Sequence, residues 1–267
     1  MDDAVREYAR YRQSSDNDLL GRFILPASRL GEFSSAAQSF VVRDDSWKIS
    51  AIVSAGNEND VNVISEFNAE QSGVFVDAVE MPVHAASEVE WAANHFGKSF
   101  ASFLEPPLMP DCTDLLRSIA ESGVAAKLRT GGVVPSAIPP AAAVLRFIQA
   151  CATLNLSFKA TAGLHHAIRG QYSLTYERDA PRGNMFGYLN VFLAAAFVRT
   201  GLRETDLLDL LQEEDASSIA FSDAGVTWRG NLADARCLDD TRKSLALSFG
   251  SCSFTEPVDE AKQLHLI

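Results

Sequence analysis

Two lysines carry the first chemical signal. Lys127 stands in AAKLRTGG and Lys159 in SFKATAGLHH, each preceded by apolar residues and followed by a glycine-containing turn. The chain holds six lysines in all, so two in equivalent settings call for an explanation. A charged lysine is rarely enclosed in a sheet without a partner. At the ends of neighbouring strands, like charge and partial burial both favour the neutral amine. That form attacks a carbonyl carbon and condenses to a Schiff base. The plainer alternative is a salt bridge from each lysine to a carboxylate.

Two carboxylates suit that alternative and also suit catalysis. Glu80 in VDAVEMP and Glu105 in ASFLEPP end apolar runs, and proline follows at once or nearly so. Such groups can act as general acid and base, bind a divalent metal, or serve as counter-ions for Lys127, Lys159 and Arg129. His165 and His166 follow Gly163-Leu164. Adjacent histidines point apart, so at most one faces a common site, and His165 is the candidate for proton transfer. Glu80, Glu105 and one histidine would make a two-carboxylate, one-histidine metal site. No HxH or HExxH spacing supports it, so neither a metal nor a cofactor is expected. Arg129, Thr130, Gly131, Gly132, Thr161, Gly163, Gly250, Ser251 and Ser253 are the candidates for holding substrate. The Gly131-Gly132 and Gly250-Ser251 amides can meet an anion, with Arg129, Arg169 and Arg182 as nearby cations. The same glycines would also serve simply to make tight turns.

These residues are in place only if the elements around them are. Apolar runs recur as strand candidates: Phe23 to Leu25, Ile49 to Val53, Val74 to Val79, Phe100 to Leu104, Val124 to Leu128, Leu156 to Ala160, Ser218 to Phe221 and Leu245 to Phe249. Amphipathic stretches lie between them. Ser28, Asn57 and Ser87 are the expected helix starts, Gly123 a helix stop, and Pro139-Pro140 the first turn of a helix reaching about Thr153. Strands alternating with helices imply βαβ units and a parallel sheet. Eight of them imply a single (β/α)8 TIM-type barrel over 1–267, with an extra N-terminal helix in 1–20 and a loop or lid insertion at 165–183. An open doubly wound sheet is the rival, but no GxGxxG follows the first strand. In a barrel the active site lies at the C-terminal strand ends, where the residues above fall. Two apolar helices are expected at Met185 to Thr200 and Glu204 to Glu213, the first either core or a subunit interface. A turn is expected at Asp223-Ala224-Gly225 leading into Val226 to Trp228, and a last helix near Pro257 to Leu264.

The bulk numbers agree with one large core. The chain has 267 residues, 47% of them hydrophobic, and a net charge of -12. A (β/α)8 barrel typically takes about 250 residues. The acidity argues against nucleic acid or an anionic membrane as partner. Cys112, Cys151, Cys237 and Cys252 form no CxxC and are read as free thiols of a reducing compartment. The opening MDDAVREYARYRQ lacks the apolar core of a signal peptide, and no stretch reaches the roughly 18 apolar residues of a membrane helix. A cytoplasmic protein is expected, possibly a homo-oligomer.

The stretch KLRTGGVVPSAIPPAAAVLRFIQACATLNLSFKATAGLHH resembles the corresponding region of deoxyribose-phosphate aldolases, class I aldolases built on a (β/α)8 barrel. By that resemblance Lys127 forms the Schiff base and Lys159 tunes it. Thr130 and Gly131 match the turn after the first lysine, and Ala162 with Gly163 the turn after the second. SFGSCSF is similar to that family's Phe-Gly-x-Ser-Ser segment, whose amides and serines help hold a phosphate. In the family the two lysines lie on the sixth and seventh strands, whereas the count here gives the fifth and sixth. Arg129 and His165 stand where the family has other residues, so the family's substrate is not carried over. The expectation is a lyase acting through a lysine imine on a small anionic carbonyl metabolite. The alternatives are a metal-dependent barrel enzyme using Glu80, Glu105 and a histidine, or a non-catalytic barrel that binds an anionic metabolite.

Overall fold

Each apolar run flanked by turn residues becomes a strand, and each amphipathic stretch a helix that covers it. A computed structural model describes residues 1–42 and 46–266. The chain divides into two compact units, residues 1–105 with 121–124, and residues 106–120 with everything from Ala125 onward.

The first unit opens with α1 (Asp2–Arg12), followed by β1 (Phe23–Pro26) and α2 (Leu30–Ala37). Then come β2 (Trp47–Ile52), α3 (Glu58–Glu70), β3 (Val74–Pro82), α4 (Ala86–Phe96) and β4 (Ala101–Glu105). The four strands pair in parallel in chain order. The expected N-terminal helix exists because Val5, Tyr8 and Ala9 share one face, and Tyr8 packs edge-on against Phe23 and Trp47 at 5.3 and 5.1 Å. Asn57 caps α3 by accepting from the Asn59 amide at 3.2 Å. Ser28 caps nothing. It lies inside a 3-10 turn, Ala27–Arg29, and α2 starts after it without a side-chain cap.

The second unit holds α5 (Thr113–Glu121) as far as Ala120, then β5 (Ala125–Arg129), α6 (Ala141–Thr153) and β6 (Phe158–Thr161). The alternation then breaks. The stretch read as a loop contains an antiparallel hairpin, β7 (Gly170–Ser173) with β8 (Arg182–Met185). Next come α7 (Tyr188–Arg199) and α8 (Glu204–Leu211). After them β9 (Ile219–Ser222), β10 (Gly225–Trp228) and β11 (Asn231–Asp234) form a separate antiparallel meander. The seventh wall strand expected at Ser218 to Phe221 is therefore not in the parallel sheet. Its short run leads directly into the Asp223-Ala224-Gly225 turn, and such a turn pairs a strand with its neighbour instead of carrying it across. Finally α9 (Ala235–Ser244) leads to β12 (Ala246–Gly250), which pairs in parallel with β6, and α10 (Thr255–Gln263) ends the unit.

The count of parallel strands among the described residues is thus seven, four in one unit and three in the other, instead of eight. The uniform helix GYLNVFLAAAFV is core: α7 packs among α6, α8 and α9, with Val191, Leu193, Ala194, Ala195, Ala196 and Phe197 all buried. Among the described residues no helix is long and apolar enough to cross a membrane.

Candidate functional site

Strand alternation decides which way the lysines face. In β5 and β6 the residues Ala126, Leu128, Phe158 and Ala160 occupy one face, all fully enclosed. That face packs on α6, where Phe147 meets Phe158 edge-on at 5.6 Å. Successive side chains point to opposite faces, so Lys127 and Lys159 stand on the other one. The parallel register sets them directly opposite each other, Lys127 against Lys159, with Arg129 against Thr161 one step further on. Both lysines are enclosed, at 4% and 5% exposure. Arg129 is exposed at the strand end. On the far side of β6, Ser248 lies beside Lys159 and Gly250 beside Thr161.

The register is locked just beyond the lysines. The Thr130 amide donates to the Thr161 carbonyl at 2.9 Å, and its fully buried hydroxyl donates to the Ala162 carbonyl at 2.5 Å. Ala162 and Gly163 both have positive φ, 59° and 77°, the left-handed turn that ends β6. A side chain on Gly131 would lie 3.4 Å from the Gly163 backbone, so the two turns lie against one another. A Cβ on Gly132 would meet the Ala137 methyl at 2.7 Å.

After Gly163 the chain is anchored, not loose. The His166 and Ala167 carbonyls accept from the first amides of α7, those of Tyr188 and Leu189, at 2.9 and 3.0 Å. Gly187 permits that docking, since a Cβ there would be 2.3 Å from the Ala167 carbonyl oxygen. Glu260 of α10 accepts from the Ala167 amide at 2.7 Å and meets His166 Nδ1 at 2.6 Å. The His166 ring also stacks on Tyr172 at 3.5 Å. His165 turns elsewhere: its Nδ1 is 2.9 Å from the Ser251 hydroxyl, and Cys252 Sγ lies 3.6 Å from both ring nitrogens. Ser253 is occupied at the start of α10, where its hydroxyl accepts from the Glu256 amide at 3.2 Å. Because β5, β6 and β12 are parallel, all these residues gather at one end of the three strands.

Glu80 and Glu105 belong to the first unit. Across β3 and β4 the register pairs Glu80 with Phe103 and Pro82 with Glu105, which puts both carboxylates on one sheet face. Both are buried, and the Ser50 hydroxyl donates to Glu80 Oε1 at 2.8 Å. Among the described residues no group of three or more histidines, cysteines, aspartates and glutamates is arranged to hold a metal ion.

Comparison with protein-family models and with curated proteins gives no match.

Arg169 and Arg182, the other cations expected near an anion, are used differently. Arg182 donates to the Gln171 carbonyl across the hairpin. Arg169 Nε is 3.6 Å from the Glu214 carboxylate, and its guanidinium lies over the Phe186 ring. It helps line a cavity of about 390 Å3 with Ile138, Asn184, Phe186 and Gln212, and neither lysine contributes to that cavity. Sequence reasoning passed over Tyr176, Glu256 and Glu260 and took Cys252 as an ordinary free thiol. The Tyr176 hydroxyl donates to the Glu256 carboxylate at 2.8 Å and is 3.4 Å from Cys252 Sγ. Those partners are separated by 76 or more residues, so no local pattern announces them.

Proposed function

We propose that this protein is a lyase of the class I aldolase type, acting on a small anionic carbonyl metabolite through an imine on Lys127. The observation that carries this is the lysine pair: two enclosed amines opposite each other on adjacent parallel strands. The strand register holds the two amines at a fixed spacing, so one can act on a substrate bound at the other. Such a pair serves well as a nucleophile with a tuning partner.

In this reading Lys127 Nζ adds to the carbonyl carbon, and water leaves as the C=N bond forms. The iminium then draws the electrons of the scissile carbon–carbon bond, releasing one carbonyl fragment and leaving an enamine. Protonation and hydrolysis return the amine and the second product. Lys159 adjusts the charge at Lys127, and His165 is the proton carrier at the same strand ends. The amides of Gly131-Gly132 and Gly250-Ser251 receive the substrate's phosphate or carboxylate. A cytoplasmic setting belongs to the same proposal.

The test is borohydride trapping with a panel of small aldehydes and keto acids, read by peptide mass spectrometry. An irreversible adduct on the Lys127 peptide is expected with at least one of them. Absence of any adduct across the panel overturns the reading, and an adduct on Lys159 alone reverses the assigned roles.

A further inference from the structure

Four side chains from four separate segments form one cluster, in which His165 and Tyr176 contact the sulfur of Cys252 and Glu256 contacts both of them. Cys252 follows β12, His165 follows β6, Tyr176 lies in the turn of the β7–β8 hairpin, and Glu256 is in the first turn of α10. Cys252 Sγ is 3.4 Å from the Tyr176 hydroxyl and 3.6 Å from each nitrogen of His165. Glu256 accepts a hydrogen bond from the Tyr176 hydroxyl at 2.8 Å and lies 3.7 Å from His165 Nδ1. A thiol, a base beside it, a hydroxyl able to switch partners and a carboxylate behind both are the parts from which an activated nucleophile is made.

We propose that Cys252 is a covalent modification site, a nucleophilic thiol that takes small soft electrophiles at carbon. With His165 Nδ1–H donating to the Ser251 hydroxyl oxygen at 2.9 Å, Nε2 is the unprotonated nitrogen that removes the thiol proton. The sulfur electron pair then forms the S–C bond. With an alkyl halide the carbon–halogen bond breaks, the halide leaves and the proton stays on His165. Tyr176 has a single proton. Given to Glu256, it leaves the phenol oxygen to accept from the thiol. Given to the sulfur, it supports the thiolate.

Two further observations agree. Cys252 is exposed, whereas Cys112 and Cys151 are buried and Cys237 is half-buried. Burial would also raise the Cys252 thiol, but hydrogen bonds from His165 and Tyr176 outweigh it and hold the group below its usual range, against the opposing charge of Glu256. Burial pushes Cys112 up to about 11 and raises Cys151 and Cys237 as well. The inference does not depend on the lysine reading, since no step passes through Lys127 or Lys159.

The experiment is alkylation of the intact protein with limiting iodoacetamide between pH 5.5 and 9.5. Each cysteine is followed by peptide mass spectrometry, and glutathione is the free-thiol reference. Cys252 is expected to react first, with a rate-against-pH midpoint below the roughly 8.5 of an unperturbed thiol. Tyr176→Phe and His165→Gln are expected to move the midpoint upward and to slow alkylation at pH 7 about 3- to 10-fold. Tyr176 is 72% exposed, so its variant tests the idea even if His165→Gln misfolds. A wild-type midpoint equal to or above that of glutathione overturns the proposal, as does a midpoint that Tyr176→Phe leaves unmoved.

Discussion

The lysine pair lies within β5 and β6 and the Cys252 cluster beyond the ends of β6 and β12, and the two are built in opposite ways. Lys127 and Lys159 are interior residues of adjacent strands, and ladder hydrogen bonds fix their separation. The cluster has no such frame. Its members come from three turns and one helix end, and only the docking of those segments brings them together. A site on regular elements is held by its own backbone, whereas a site on turns is only as firm as the contacts that seat them. The two should therefore respond separately to perturbation.

The largest expected effect is on the lysines. Lys127→Ala should abolish borohydride trapping, a loss on the order of 10³-fold or more, and Lys159→Met should slow it by about 10²-fold. Alkylation of Cys252 should be unchanged in both. Trapping that persists in Lys127→Ala would break the assignment.

Gly187→Ala should separate the sites from the other side. Its Cβ would enter the backbone of Ala167 and Ile168 at 2.3–2.5 Å, which displaces the segment carrying His165. Urea unfolding should show a loss of about 1–3 kcal/mol or more. Cys252 should lose its enhanced reactivity, while trapping at Lys127 is slowed through its proton carrier His165 but not abolished.

Thr130→Val is the complementary change. It removes the buried hydroxyl that bonds the Ala162 carbonyl and leaves that acceptor without this donor. A cost of about 1–3 kcal/mol is expected in the same assay, with slower imine trapping and unaltered Cys252.

The smallest effect concerns acid. Burial alone would raise the Glu260 carboxyl, but the His166 ring and the Ala167 amide outweigh it and hold the group below its usual range. A lowered folded value stabilises fully above the unfolded value of about 4.5 and is lost as pH falls through the folded one. Glu260→Gln should therefore cost about 0.5–1 kcal/mol at pH 7, allowing for solvent screening. The difference from wild type should shrink below pH 4.5, as followed by urea titration at each pH.

Much of the frame was legible from residue order. Runs such as WKISAI and AAKLR alternate apolar and polar positions between turn signals, and that local pattern suffices for strands whose partners lie one helix away. The helix start at Asn57 and the stop at Gly123 are local backbone chemistry and fell where the residues indicate. The 165–183 stretch was not legible. Its hairpin strands are GQYS and RGNM, which have no hydrophobic alternation strong enough to show and are held by pairing with each other. The run at Ser218 to Phe221 has strand propensity, but whether it joins the parallel sheet or a meander depends on the turn that follows and on the unpredicted β11.

The sequence by itself determined the candidates: two strand lysines, the glycine turns behind them and the apolar faces that orient their strands. These are set by side-chain type and by a period of two, which need no distant partner. Tertiary structure alone decided that Lys127 and Lys159 face each other in register. It also turned His165 toward Cys252 and His166 toward Glu260, and drew Tyr176 and Glu256 around a sulfur that looked like an ordinary free thiol. The physical reason is separation along the chain. Contacts between residues 76 to 94 positions apart are chosen by how whole elements pack, and no local propensity encodes that choice.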